Sequence, residues 1–242
     1  MNISIPKIAP LIHSYTFKFK QGVNLITGLN GTGKTRIAAE LIKVILDDKK
    51  FPVDPSLILV DEDFSRFADS KFYKVIENSL NPELQNIICD KANHILFSNN
   101  SLTAKPIGKI VFTHQQFRFE NSSSSAAGEI FLLYLSLLLA FRDLDKRLED
   151  MPLIIDGAFG ILDLAHRNFA FELLRKHCKY TILLGHPYTI DFLDSEALKT
   201  QFSTTYKIVV MIPKDKDLEG MYGHTEITGD PSEEYLCKIE TV

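Results

Sequence analysis

The sequence predicts an α/β fold, with a mostly parallel sheet flanked by helices. First, the apolar run "GVNLITG", Gly22 to Gly28, enters a glycine-rich turn that opens directly into the helical pattern "KTRIAAELIKVIL". Second, the region from Leu153 to Leu184 alternates strand, helix and strand patterns, the β-α-β order of a parallel sheet. Third, the apolar stretch "PLIID" ends on Asp156, placing an acid where a buried parallel strand terminates.

The elements follow in order. Gly22 to Gly28 reads as a buried strand, and Lys34 to Leu46 as a helix in which Ile37, Leu41, Val44 and Ile45 recur at helical spacing. "SLILVD", Ser56 to Asp61, is a second strand. "NPELQNIICDKANHIL", Asn81 to Leu96, has a capping Asn81, proline at the first helical position and an apolar face through Leu84, Ile87, Ile88 and Leu96. It anchors a small helical lobe predicted over 65–105. "GKIVFTHQQFRFE", Gly108 to Glu120, alternates as two short antiparallel strands or one bent strand. A polar run follows, Asn121 to Ser125, and a long apolar helix begins near Gly128. The strand at Leu153 to Ile155 precedes a helix at Leu164 to His177, a strand at Tyr180 to Leu184 and a last strand at Tyr206 to Ile212. No internal repeat is evident, and 1–242 reads as a single domain.

Composition narrows the function classes. With 242 residues, 45% of them hydrophobic, the chain can bury one substantial core. Its 27 basic and 31 acidic residues give a formal charge of -4 without a long run of either sign, so nothing demands a polyanionic partner. Cys89, Cys178 and Cys237 are too widely spaced for a CxxC metal or redox motif and read as reduced thiols in a cytoplasmic protein. The N-terminus lacks the basic start and continuous apolar segment of a signal peptide. The most apolar stretch, Ile130 to Phe141, falls far short of the roughly 20 residues needed to cross a bilayer. Membrane insertion is therefore not expected.

"GLNGTGKT", Gly28 to Thr35, satisfies the GxxxxGK[ST] phosphate-binding loop, or P-loop, between a strand and a helix. Its glycines let the backbone approach phosphates, the helix N-terminus stabilises the anion, Lys34 reaches the terminal phosphates and Thr35 can ligate magnesium. Asp156, at the end of a later parallel strand, can hold the same magnesium through water.

With these residues in place, the chain resembles the ATP-binding cassette superfamily, closer to its Rad50, SMC and RecF-like head domains than to transporter cassettes. "GLNGTGKT" is similar to the family form GxNGxGK[ST], which implies that Gly28, Asn30, Gly31, Gly33, Lys34 and Thr35 bind ATP. "SAAGE", Ser125 to Glu129, resembles the family signature, implying nucleotide contacts from Ser125, Gly128 and Glu129. "LIIDG" resembles Walker B, "GILD" with Asp163 resembles the D-loop, and "ILLGH" places His186 as the switch histidine that reaches the γ-phosphate. Gln115 and Gln116 are weaker candidates for the Q-loop, because they lie close before the signature in a strand-and-turn region.

Two departures shape the expectation. Ala126 occupies a signature position where the family usually has serine, and Gly157 occupies that of the catalytic glutamate. Loss of a positioned general base removes roughly 10²–10⁴-fold in rate, while the phosphate-binding parts remain. The resemblance therefore implies an ATP–Mg2+ switch with weak or absent hydrolysis. The expected partner is a second copy or an unlike cassette-type subunit in an ATP-dependent dimer, with room for an additional protein partner. The sequence does not sustain heptads between Thr35 and Gly128, so the resemblance is to a head without a coiled-coil arm. DNA repair or defence against mobile DNA follows from the resemblance alone. Any DNA contact falls to Lys18, Lys20, Arg175, Lys176 and Lys179. The rival readings are an active ATPase with a non-glutamate or partner-supplied base, a transporter-type ATP-binding subunit and a scaffold without ATP.

Overall fold

The computed structural model describes residues 1–47, 53–61, 81–97, 108–113, 116–120, 127–186, 202–211 and 236–241. Its elements are β1 (Asn2–Ile5), β2 (Tyr15–Lys18), β3 (Gly22–Thr27), α1 (Lys34–Asp47), β4 (Leu59–Val60), α2 (Pro82–Phe97), β5 (Lys109–Thr113), β6 (Gln116–Glu120), α3 (Ala127–Leu144), β7 (Leu153–Asp156), α4 (Leu164–His177), β8 (Tyr180–Gly185), β9 (Thr204–Met211) and β10 (Leu236–Thr241). A mostly parallel six-stranded sheet runs in the order β10-β9-β3-β8-β7-β4, flanked by helices. The predicted α/β class with a parallel sheet is therefore observed. The sequence runs through two compact units, Met1–Pro52 with Ile182–Val242, and Val53–Thr181.

In the first unit β3 pairs parallel with β9, with Asn24 opposite Thr204, and β9 pairs antiparallel with β10. The β1–β2 hairpin, which the sequence reading did not anticipate, turns Ile3, Ile5 and Phe17 inward by strict alternation. Phe17 stacks on Phe19 at 5.2 Å and meets Tyr206 of β9 edge-on at 5.0 Å. The Tyr206 hydroxyl accepts from the Lys18 backbone N–H at 2.8 Å, so the aromatic body is buried while its polar end is satisfied. Helix α1 packs Ile37, Leu41 and Ile45 inward, three of the four residues expected to do so.

In the second unit β4 pairs parallel with β7, and β5 pairs antiparallel with β6, resolving the alternation at Gly108 to Glu120 into two strands. Helix α3 is buried along almost its whole length, as its all-round apolar sequence requires, and packs against both α2 and α4. Arg142 near its end is 4% exposed and donates to the carbonyls of Leu57, Leu148 and Met151. Burial pushes that guanidinium below its ordinary pKa. Helix α4 has the predicted bounds.

Some elements differ. The strand expected over Ser56 to Asp61 contracts to Leu59–Val60, because Asp54 accepts from Ser56 N–H at 2.9 Å and caps a single 3-10 turn at Pro55–Leu57. Asn81 caps α2 as expected, accepting from Leu84 N–H at 2.9 Å. The helix buries Ile88 and Leu96 of the expected face, together with Ala92 and Ile95, and leaves Leu84 and Ile87 exposed at 40% and 44%. Its sequence offers overlapping apolar stripes, and packing against α3 selects one. The rest of the helical lobe predicted over 65–105 lies outside the described residues. All three cysteines are free and buried. No helix among the described residues is long and apolar enough to cross a membrane.

Candidate functional site

The first unit carries the glycine-rich loop. Val23, Leu25 and Ile26 bury β3, and the chain leaves it at Gly28, whose N–H bonds the Gly185 carbonyl at the end of β8 at 3.3 Å. Gly31 and Gly33 have φ of 78° and 85°, left-handed angles that favour glycine. A Cβ on Gly28 would lie 2.7 Å from Thr32 Oγ1, and one on Gly33 the same distance from Pro10 Cδ. Thr32 Oγ1 in turn donates to the Leu29 carbonyl at 2.7 Å. Side chains are thus disfavoured at Gly31 and Gly33 by the backbone angle and at Gly28 and Gly33 by close neighbours.

Lys34 begins α1 and curls back over this loop, its Nζ donating to the Gly28 and Leu29 carbonyls, each at 2.8 Å. Asn30, Gly31 and Thr35 are exposed. Together they place an ammonium, a helix N-terminus and glycine backbone in one loop, an arrangement suited to a polyphosphate. His186 follows β8 directly and is half-buried. The bond between Gly28 and Gly185 therefore ties the entry of the loop to the residue preceding that histidine.

The second unit carries the other motifs. Asp156 ends β7 and is half-buried. Gly157 has φ 74° and ψ −29°, and its carbonyl accepts from Gly160 N–H at 3.0 Å, turning the chain into a 3-10 segment at Ala158–Ile161. Asp163 then caps α4, accepting from the His166 N–H at 2.8 Å, while His166 Nδ1 lies 2.8 Å from the same oxygen. The backbone bond from His166 is the chief reason that the Asp163 carboxyl titrates below its ordinary value.

Gly128, in the first turn of α3, packs near Leu162 and His166, where an added Cβ would meet their side chains at 3.5 and 3.7 Å. The signature-like helix start and the D-loop-like turn thus lie together. Glu129 is 7% exposed, and its Oε2 has no hydrogen-bond partner among the described residues. Ser125 and Gln115 lie outside those residues, whereas Gln116 opens β6. Of the basic residues named for DNA, Arg175 pairs with Glu172 at 2.9 Å and Lys179 with Asp150 at 2.6 Å.

The described residues contain no group of three or more His, Cys, Asp or Glu able to enclose a metal ion. A hydroxyl, one or two carboxylates and a ligand's phosphates suit magnesium, which retains water and seldom needs an all-protein cage. Asp61, directly after β4, has no part in the site as read from sequence.

No protein-family model and no curated protein matches the sequence. Solved structures do. One is an SMC head bound to the C-winged helix domain of ScpA, with TM-score 0.64 and 9% identity, covering 100% of this chain and 97% of that one. A second is an SMC head with an extended coiled coil, bound to the C-terminal domain of ScpA derived from Pyrococcus furiosus. Its TM-score is 0.60 at 9% identity, covering 100% of this chain and 95% of that one. An SMC head from Thermotoga maritima aligns at 13% identity over 86% of this chain and 94% of that one, with a lower TM-score of 0.48. The chain shares the fold of these SMC heads, and the first two structures carry that conclusion.

Proposed function

We propose that this chain binds ATP with magnesium through Gly28, Asn30, Gly31, Gly33, Lys34 and Thr35 together with Asp156, and uses the bound nucleotide as a switch for association. The observation that carries the reading is the tightly wound glycine loop with Lys34 drawn across it, between β3 and α1. When bound, the triphosphate supplies the charge that Lys34 and the α1 N-terminus meet. Magnesium would be held by Thr35 and Asp156 and would offset part of that charge, and His186 is the residue assigned to the γ-phosphate.

Hydrolysis is weak or absent in this reading because Gly157 has no carboxylate with which to orient water. Association is with a second copy or an unlike cassette-type subunit, through Ser125, Gly128, Glu129 and Asp163. A further protein partner and a role in DNA repair or antiviral defence rest on resemblance, as does a cytoplasmic location. Two of the solved SMC heads are bound to ScpA domains, which makes a non-cassette partner a concrete candidate class for this chain.

Calorimetric titration of ATP into wild type and Lys34→Ala tests the reading. Lys34→Ala removes the cation placed at the β- and γ-phosphates while the backbone loop remains, so affinity should fall at least 10-fold with the melting temperature little changed. Equal affinity in both proteins would refute the nucleotide assignment.

A further inference from the structure

One residue binds Asp163 twice. His166, the third residue of α4, donates its backbone N–H to Asp163 Oδ1 at 2.8 Å, and its ring Nδ1 lies 2.8 Å from the same oxygen. The first bond is an ordinary helix cap. The second is not needed for capping, and it settles the state of the ring. An ionised carboxylate only accepts, so Nδ1 carries the hydrogen and, in the neutral imidazole, Nε2 is left as the acceptor.

The same ring reaches a second segment. A Cβ added to Gly128 would lie 3.7 Å from His166 Cγ and 3.8 Å from Nδ1, so the ring borders the first turn of α3 as well as the turn before α4. The His166 side chain is 16% exposed, whereas that of Asp163 is 65% exposed. A carboxylate so open to water ordinarily samples several rotamers, and a bond to a fixed ring holds it to one. The backbone entering the turn is held separately by buried Arg167, whose Nη2 donates to the Leu162 carbonyl at 3.1 Å.

We propose that His166 is the positioning residue of the association surface, its Nδ1–H fixing the Asp163 carboxylate relative to the start of α3. The inference rests on the proposed nucleotide-driven association with a second copy and deepens it by naming the residue that sets the geometry of that surface. Partner binding selects chains in which the carboxylate is already in place. Loosening it therefore lowers the apparent affinity by the fraction of time that it is out of place. ATP affinity of the single chain belongs to the glycine loop and is not expected to change.

Two replacements in the full chain divide what the ring does. His166→Asn keeps a donor at the same side-chain position and removes the ring, whereas His166→Phe keeps a ring and removes the donor. If packing alone mattered, His166→Phe would be the better substitute in melting and in association alike. The proposal predicts opposite orders. His166→Phe should melt closer to wild type, yet its mass increase with ATP and magnesium, followed by light scattering, should need roughly 10-fold more protein, the loss of a hydrogen bond to a charged group. His166→Asn should melt lower and associate more tightly than His166→Phe. Calorimetry should read one ATP affinity in all three chains. Long-range proton–nitrogen NMR at alkaline pH, with the His166 signal assigned by its disappearance in His166→Asn, should show the hydrogen on Nδ1. A hydrogen on Nε2, or a His166→Phe chain that associates as wild type does, would overturn this inference and leave the nucleotide-driven association standing. An unchanged wild-type mass with ATP would remove self-association and this inference together.

Discussion

Gly157 combines two properties that act in the same direction. It has no side chain with which to orient a water, and its φ of 74° lies where residues with a Cβ are disfavoured. Restoring a glutamate is therefore more than the return of a missing group. The left-handed conformation costs about 1–2 kcal/mol for an L-residue, and a chain that relaxes to avoid it must remake the turn held by Gly160 N–H. Gly157→Glu is expected to lower stability by about 1 kcal/mol and leave phosphate release near the wild-type level. Melting and steady-state phosphate assays on the same preparations decide it. A fully stable variant with brisk hydrolysis, abolished by adding Lys34→Ala, would show that the loss of the carboxylate alone had set the rate.

Among the elements, helices α2, α3 and α4 meet at one acid. Asp143 of α3 lies 2.9 Å from His177 Nδ1 of α4 and 3.4 Å from Lys91 Nζ of α2. Burial alone would raise the Asp143 pKa, but the His177 hydrogen bond and the two positive neighbours outweigh it and hold the carboxyl below its ordinary 3.8. A carboxyl with a depressed folded-state pKa contributes stability that is fully present above the unfolded value and lost as pH falls through the folded one. Asp143→Asn should therefore melt below wild type at neutral pH, and the gap should narrow as pH drops from 3.8 downward. A gap independent of pH would assign the effect to packing instead. The legibility of the sequence has the same physical basis. Helix α4 was readable from the local β-α-β order, and the structure adds Asp163 as its cap. The face of α2 was not, since α3 chooses between its stripes, and the four-residue strands β1 and β2 are too short to announce themselves. The glycine-rich turn between β3 and α1 was legible because its residues are consecutive, whereas the relation of Asp61 to Asp156 exists only once β4 and β7 pair.

For the whole molecule, the proposed nucleotide switch needs a surface that responds to it. The D-loop-like turn presents Asp163 and, directly after it, Leu164, which at 58% exposed is an apolar side chain left in water at the start of α4. The first turn of α3 packs beside it through Gly128. Such a surface gains most when a second chain covers it, and a nucleotide held by that chain's phosphate loop would complete the contact. ATP with magnesium should therefore raise the measured mass by one subunit, either for the chain alone or in a mixture with an unlike cassette-type protein. Leu164→Lys tests the face separately from the nucleotide. Because the side chain is exposed, its replacement should alter stability by no more than about 0.5 kcal/mol and leave ATP affinity intact, yet prevent the mass increase. Light scattering with and without ATP measures both proteins. An unchanged wild-type mass under every condition would remove association from the function. A Leu164→Lys protein that still associates would keep association but move its surface away from the start of α4.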